Sequence, residues 1–172
     1  MIEVVLGDLA SEETEAIVRP IRSDLSPVSA LSRDLGNMAG LEMADRLRKI
    51  GTLPVGGAVM TPGGALATDF LIHLAVTSDD EPQTSFTVRK ALLNGLRRAA
   101  DWALVSLALP PLGIGAGTLE ADQSARSFLE ILFDHLDEGR PPRAFRLVVT
   151  SEYEVDLFRR LVDELAAERT SG

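Results

Sequence analysis

The chain has 172 residues, and 17 basic against 26 acidic side chains give it a net charge of −9 at pH 7. This length suits one domain, and 45% apolar with 25% charged residues can form a full hydrophobic core, which excludes a disordered tail and a fibrous repeat. An isoelectric point near 4.7 excludes a broad nucleic-acid-binding surface, because such a surface needs clustered lysine and arginine.

The same composition limits metals, disulfides and location. The sequence has no cysteine and two histidines, so we predict no disulfide, no metal site and no cofactor. Glu3 and Asp8 lie in the first ten residues without a preceding basic residue, which is unlike a secretory signal. No apolar run approaches the roughly 20 residues that cross a bilayer. We predict a soluble, cytoplasmic protein that does not bind membranes.

Strand-like and helix-like segments alternate along the chain. Short apolar runs predict strands at 2–6, 15–18, 58–61, 70–76, 105–109 and 145–149. Apolar residues at helical spacing predict one broken helix or two short helices over 26–50, and further helices at 88–102, 119–136 and 155–167. This alternation predicts a layered α/β domain with a largely parallel sheet and helices on both sides. We place one domain at 1–168 and a frayed tail at 169–172.

The most informative stretch joins the predicted strand at 105–109 to the next helix through Gly113, Gly115 and Gly117. Glycines let the backbone approach a ligand closely, and the free N–H groups of such a turn and helix start typically face phosphate. The stretch matches neither a Walker loop nor G-x-G-x-x-G. The alternative is a tight turn in which Glu120 and Asp122 already complement the helix dipole.

Four other side chains are candidates for function. Asp8 follows the first strand, where it either caps a turn or accepts a hydrogen bond from the exocyclic amine of a base. Arg19 and Arg22 follow the second strand, as anion ligands or as ordinary surface residues. His73 lies in an apolar run, which favours a core imidazole over a catalyst. The sequence has no G-x-S-x-G nucleophile elbow, so it gives no support to serine-based hydrolysis.

Six segments, taken in order, resemble the macrodomain family. They are Gly7-Asp8-Leu9, residues 15–18, Ala39-Gly40, residues 55–63, Leu71-Ile72-His73 and residues 110–117. Together they span nearly the whole chain. The resemblance implies a three-layer α/β/α fold with a mixed, largely parallel central sheet.

The resemblance also implies a ligand and the residues that bind it. Macrodomains bind ADP-ribose, and some hydrolyse ADP-ribosyl esters, phosphorylated ADP-ribose or O-acetyl-ADP-ribose. By resemblance, Asp8 would hold the adenine amine and Leu9 would help to line that pocket. The backbone of the glycine-rich loop would wrap the diphosphate, and its candidate binding residues are Leu112, Gly113, Ile114, Gly115, Ala116 and Gly117. His73 would be a strand residue without a catalytic role.

Three positions depart from the family pattern. Arg19-Pro20-Ile21-Arg22 replaces the usual Asn-Ala-Ala-Asn run, so Arg22 stands where the family has the asparagine that contacts the distal ribose. Residues 28–32 occupy the place of a glycine-rich loop and contain no glycine, so their side chains would narrow the approach of phosphate. Val149-Thr150-Ser151, near the last strand, lacks the family's aromatic ring that stacks on adenine, and Tyr153 is the nearby candidate for that ring.

These features define one main hypothesis and two alternatives. The main hypothesis is a divergent macrodomain that binds ADP-ribose or a related nucleotide diphosphate, with Arg22 among its ligand residues. One alternative is a hydrolase of ADP-ribose derivatives, in which Arg22 stabilises developing negative charge. The other is a degenerate module whose surface now serves protein association. The sequence leaves the oligomeric state open.

Overall fold

The computed structural model describes residues 1–113 and 118–172. The strands are β1 (Ile2–Leu6), β2 (Ala16–Arg22), β3 (Ala58–Pro62), β4 (Phe70–Thr77), β5 (Ser106–Leu109) and β6 (Ala144–Val149). The helices are α1 (Ala30–Ala39), α2 (Leu41–Ile50), α3 (Ser85–Asp101), α4 (Thr118–Asp137) and α5 (Glu152–Thr170), and a 3₁₀ helix, Leu9–Ser11, follows β1. Within this described part, no helix combines the length and apolar character needed to cross a bilayer.

The strands form one mixed sheet in the order β1-β6-β5-β2-β4-β3. All neighbouring strands are parallel except β3, which is antiparallel to β4. The prediction of a mixed, largely parallel sheet is therefore confirmed. Parallel strands need crossover connections, and these place helices over the sheet.

Two hydrophobic cores lie on opposite faces of the sheet. Alternate residues of β2 divide between them, with Val18 in the core under α3, α4 and α5 and Ile17 in the core under α1 and α2. This division follows from the two-residue period of a strand. The arrangement is the predicted three-layer α/β/α fold.

The strand β2 is longer than the sequence pattern predicted. It continues past Val18 to Arg22 and includes Pro20. Its pairing with β5 covers only Ala16 and Ile17, so the later part of β2 pairs with β4 and, through a single bridge at Ile21, with Pro27. Proline lacks an N–H group and is tolerated where a strand has an unpaired side. The gap that opens between β2 and β5 positions the candidate site.

Two helical regions can be compared with the predicted pattern. The region at 26–50 is two helices, one of the two predicted arrangements, and they join at Gly40, whose φ of +98° favours glycine. The last helix runs to Thr170, into the segment predicted to be frayed. Arg169 anchors this end, because its guanidinium hydrogen-bonds Asp134 at 2.6 Å and Asp137 at 3.0 Å.

Candidate functional site

A cavity of about 220 Å³ opens where β2 and β5 diverge, at the carboxyl ends of the central strands. We call it the sheet-edge cavity. Open α/β sheets typically bind ligands at this edge. The lining residues come from the ends of β2 and β4, the segment after β5, and the starts of α1 and α3: Pro20, Val76, Pro110, Pro111, Leu112, Gly113, Val28, Ser29, Leu31, Gln83 and Val88.

The N-termini of two helices border the sheet-edge cavity. Ser29 caps α1, because its Oγ accepts a hydrogen bond from the Ser32 N–H at 3.2 Å. Thr84 caps α3 and forms a reciprocal capping box with Thr87. Each helix N-terminus carries roughly half a positive charge. The border of the cavity therefore favours an anionic ligand.

The glycine-free segment 28–32 narrows this cavity and leaves it open. Val28 packs against the core below α3, while Leu31 packs against the core below α1. The helix α1 begins only at Ala30, so Val28 and Ser29 precede it beside the cavity, and Ser29 has extended backbone. Side chains take the place that a glycine-rich loop would leave empty.

The opposite wall of the sheet-edge cavity includes Leu112 and Gly113, which are the first residues of the predicted phosphate loop. Leu112 is buried in the core, and Gly113 has a φ of +73°, in the region that favours glycine. A Cβ atom at Gly113 would lie 3.3 Å from Cγ2 of Val88, so the turn packs tightly on α3. The other predicted loop residues, Ile114, Gly115, Ala116 and Gly117, lie outside the described residues. Their predicted role remains a prediction.

The two residues predicted to contact adenine follow β1 at the same edge of the sheet. Asp8 is exposed and caps the 3₁₀ helix, accepting hydrogen bonds from the Ala10 N–H at 3.1 Å and the Ser11 hydroxyl at 3.3 Å. Leu9 is 2% exposed and packs in the core under α1 and α2. Neither residue lines the sheet-edge cavity. Capping is thus an observed role of Asp8, and adenine binding stays a prediction.

Tyr153 lies near this end of the sheet. The Gly7 N–H donates to the Val149 carbonyl at 3.1 Å, which ties the end of β1 to the end of β6. The helix α5 starts three residues later, and Tyr153, in its first turn, is 64% exposed. The exposed ring and the Asp8 carboxylate therefore follow neighbouring strand ends.

Arg22 lies at the carboxyl end of β2 as an ion-paired residue. Its backbone N–H donates to the Ser26 carbonyl at 2.9 Å, and its guanidinium pairs with the carboxylate of Asp79. The Arg22 side chain is 32% exposed and that of Asp79 is 95% exposed. The structure thus places the Arg22 guanidinium at the carboxyl end of β2 with an acidic neighbour beside it.

Arg19 has a different environment, which the sequence pattern did not reveal. It is 4% exposed, its Nε donates to the Ser32 carbonyl at 2.7 Å, and its Nη1 lies 3.3 Å from Nδ1 of His73. Burial lowers the pKa of the Arg19 guanidinium to about 10. The Nε2 atom of His73 lies 2.8 Å from Oγ1 of Thr61, so a buried polar line crosses β2, β4 and β3. His73 is a core residue, as predicted, with two partners.

A second cavity lies next to the sheet-edge cavity, on the side of α4. It measures about 330 Å³, lies between α3 and α4, and includes Phe86 and Phe128 in its lining. Val88, Leu112 and Gly113 line both cavities, so the Gly113 turn separates two adjoining spaces. This edge of the molecule offers room for an extended ligand.

The chain belongs to the macro domain family. A family model described as Macro domain matches residues 18–128. A macro domain-containing protein of Caldanaerobacter subterraneus is 24% identical, with 95% of this chain and 97% of the relative aligned. A protein of Pyrobaculum aerophilum is 33% identical, over 88% of this chain and 86% of its own length.

Solved structures support the same fold. The Oceanobacillus iheyensis macrodomain with ADP is 20% identical, with a TM-score of 0.84 over 97% of this chain and 92% of its own. The Trypanosoma brucei macrodomain in complex with ADP is 17% identical, with a TM-score of 0.79 over 94% of this chain and 68% of its own. At these identities the likeness establishes the fold.

Proposed function

We propose that this protein binds ADP-ribose or a related nucleotide diphosphate along the carboxyl edge of its sheet. The observation that carries the proposal is the sheet-edge cavity, which lies between two capped helix N-termini and the Gly113 turn. Membership of the macro domain family and the two macrodomain structures described with ADP point to the same ligand class.

The diphosphate would lie between α1 and the loop that starts at Leu112. Backbone N–H groups and helix dipoles stabilise phosphate without a basic side chain, which suits an acidic protein. The predicted contribution of residues 114–117 is a set of further backbone donors, because glycine at Gly115 and Gly117 permits close approach. Val28 and Leu31 make this half of the site tighter than a glycine-rich loop would.

The adenosine would extend toward β1 and β6. The Asp8 carboxylate has lone pairs beyond those used by Ala10 and Ser11, since an ionised carboxylate accepts about four hydrogen bonds. One oxygen can therefore cap the 3₁₀ helix and also accept from the adenine amine. Tyr153 offers an exposed ring for stacking at the neighbouring strand end.

The open cavity supports ligand binding over the protein-association alternative, which gives such a space no role. The proposal contains no hydrolytic step. Arg22 would have to stabilise developing negative charge in such a step, and its guanidinium is paired with Asp79. A reactive role would require this pair to separate.

Calorimetric titration of ADP-ribose into the purified protein tests the proposal. We expect saturable heat for the wild type and an affinity about tenfold or more lower for Gly115→Glu, whose carboxylate would enter the phosphate space. Ser171→Glu adds the same charge at the exposed C-terminus and should leave the affinity unchanged. Absence of binding up to millimolar ADP-ribose in the wild type would contradict the proposal.

A further inference from the structure

A third cavity lies on the other side of the β2–α1 connection. It measures about 410 Å³ and lies between α1 and α2, so we call it the α1–α2 cavity. Residues 24–27 line it, whereas Val28 and Ser29 line the sheet-edge cavity, so one loop forms the wall between the two spaces. Its lining also includes Arg19, Arg33, Gly36 and Arg48. Its volume falls in the range of small-molecule sites, about 300–1,000 Å³.

The base of this cavity is the buried guanidinium of Arg19. Its Nε and Nη1 atoms are occupied by the Ser32 carbonyl and His73. Within residues 1–113 and 118–172, Nη2 has no hydrogen-bond acceptor and the guanidinium forms no ion pair. The two hydrogen bonds do not neutralise the guanidinium charge, and a buried charge without a counter-ion is unfavourable. One face of the guanidinium fork is therefore available to an anion in the cavity.

Gly36 creates the space that this guanidinium occupies. A Cβ atom at residue 36 would lie 2.6 Å from Nη2 of Arg19 and 3.2 Å from its Cζ. Glycine within a helix is less favourable than alanine, so its presence in α1 needs a packing reason. The close approach of Arg19 supplies that reason. The guanidinium of Arg19 therefore packs directly against the backbone of α1 at Gly36.

The charge of the lining is opposite to that of the whole protein. Three arginines, Arg19, Arg33 and Arg48, line the cavity together with one acidic residue, Asp24, in a chain of net charge −9. Asp24 accepts hydrogen bonds from the backbone N–H of Ser26 at 3.0 Å and from its hydroxyl, so its carboxylate is engaged within the loop.

The two outer arginines lie at the mouth of the cavity. The side chain of Arg33 is 60% exposed and that of Arg48 is 72% exposed, and each pairs with an acidic neighbour on its own helix. Those neighbours, Asp34 and Asp45, are not lining residues. An anion at the base would therefore meet Arg19 directly, with Arg33 and Arg48 above it.

We propose that the α1–α2 cavity is a second ligand site, which binds a phosphate group through Nη2 of Arg19 and the guanidinium groups of Arg33 and Arg48. Guanidinium groups recognise phosphate through charge-assisted hydrogen bonds, and several can share one phosphate because it presents several oxygen atoms. The phosphate is inorganic or belongs to a small phosphomonoester. This site is separate from the proposed ADP-ribose site and does not depend on it.

Calorimetric titration with sodium phosphate and with glycerol 3-phosphate, at constant ionic strength, tests this site in the whole protein. The wild type should bind phosphate saturably, and Arg19→Met should weaken binding about tenfold or more, because it removes the buried donor. Tighter binding of glycerol 3-phosphate would assign the site to a phosphomonoester, and equal or weaker binding would assign it to inorganic phosphate.

Two further variants keep the test decisive if Arg19→Met does not fold. Arg48→Ala removes an exposed arginine from the mouth, and Gly36→Ala displaces the Arg19 head, so each should weaken phosphate binding severalfold. Arg46→Ala is the matched control, since Arg46 lies on the same helix outside the lining and is 54% exposed. No saturable binding in the wild type, or equal binding in Arg48→Ala, Gly36→Ala and Arg46→Ala, would overturn the proposal.

Discussion

The Nη1 group of Arg19 faces Nδ1 of His73 at 3.3 Å, across the paired strands β2 and β4. Arginine can only donate, so Nδ1 must accept and the ring proton must reside on Nε2. Nε2 then donates to Oγ1 of Thr61 at 2.8 Å, and the Thr61 hydroxyl donates to the Pro62 carbonyl at 3.2 Å. The geometry defines one tautomer of a neutral imidazole.

Acid should destabilise the fold through His73. Burial, with a further contribution from the Arg19 charge, lowers the pKa of His73 to about 3. The unfolded chain has the ordinary value of about 6.5, so between these values the unfolded state binds one more proton. The free energy of unfolding should fall with decreasing pH through this range, by about 1.4 kcal/mol per pH unit at most. Urea denaturation between pH 4 and 7 measures the slope.

The control for this prediction is His73→Gln, which places a neutral amide near Arg19 and Thr61. Other groups also titrate in this range, so the difference between the two slopes isolates the histidine. We expect the wild type to lose about 1 kcal/mol more per pH unit than the variant. Parallel slopes would show that His73 does not resist protonation in the folded state.

The conformation of Gly113 should matter for ligand binding as well as for stability. Gly113→Ala places a side chain at a φ of +73°, which costs about 1 kcal/mol of unfolding free energy, and it pushes the turn away from Val88. We expect weaker ADP-ribose binding together with the loss of stability. Thermal unfolding and calorimetry measure the two effects.

A matched control exists in the turn after α4. Gly139 has the same φ of +73°, and within the described residues a Cβ atom there would meet nothing within 4 Å. Gly139→Ala should lower stability by a similar amount and leave ADP-ribose affinity unchanged. An equal loss of affinity in both variants would assign the effect to general destabilisation.

Asp8 should distinguish adenine from a base without an exocyclic amine. We expect the wild type to prefer ADP-ribose over its inosine analogue, which has a carbonyl oxygen in place of the amine. Asp8→Ala should weaken ADP-ribose binding about tenfold and remove this preference, because a hydrogen bond to a charged group contributes about 1.5–3 kcal/mol. A preference that persists in Asp8→Ala would leave Asp8 with its capping role alone.

The Arg22–Asp79 pair should tune the affinity for a diphosphate. Asp79→Asn removes the acidic neighbour, so the Arg22 charge becomes available to the ligand, and affinity should rise about two- to fivefold. Arg22→Ala should lower it by a similar factor. Both effects should shrink at high salt, since exposed charges are screened. A fall in affinity for Asp79→Asn with a rise for Arg22→Ala, or no change in either variant, would separate Arg22 from the ligand.

Much of the fold could be predicted from local patterns. The alternation of strands and amphipathic helices predicted a largely parallel sheet with helices on both sides, and the family resemblance implied its mixed character and three layers. The positions of the predicted elements correspond to the observed ones. The end of β2 was harder to predict, because Arg19-Pro20-Ile21-Arg22 has neither an apolar run nor favourable strand propensity. Its extended backbone depends on pairing with β4 from Ala16 to Arg22, which is a long-range interaction.

The candidate site was predictable only in part. Gly113 and Asp8 follow strands, and the carboxyl ends of parallel strands meet at one edge, so the sequence could place them together. The pairing of Arg22 with Asp79 joins residues that are far apart in the chain. The sheet-edge cavity also depends on a long-range relationship, because it forms where β5 stops pairing with β2 after Ile17.

The sequence by itself determined the layered fold, the acidic surface and the glycine-rich turn, since these follow from composition, hydrophobic period and backbone freedom. Only the tertiary structure decided that the Arg19 side chain is buried. The period of β2 places Arg19 on the same face as Ile17 and Ile21, but burying its charge depends on Gly36, Ser32 and His73 from other elements. Such an environment arises from packing between segments that are distant in the chain. No local sequence pattern therefore predicts which groups surround a buried charge.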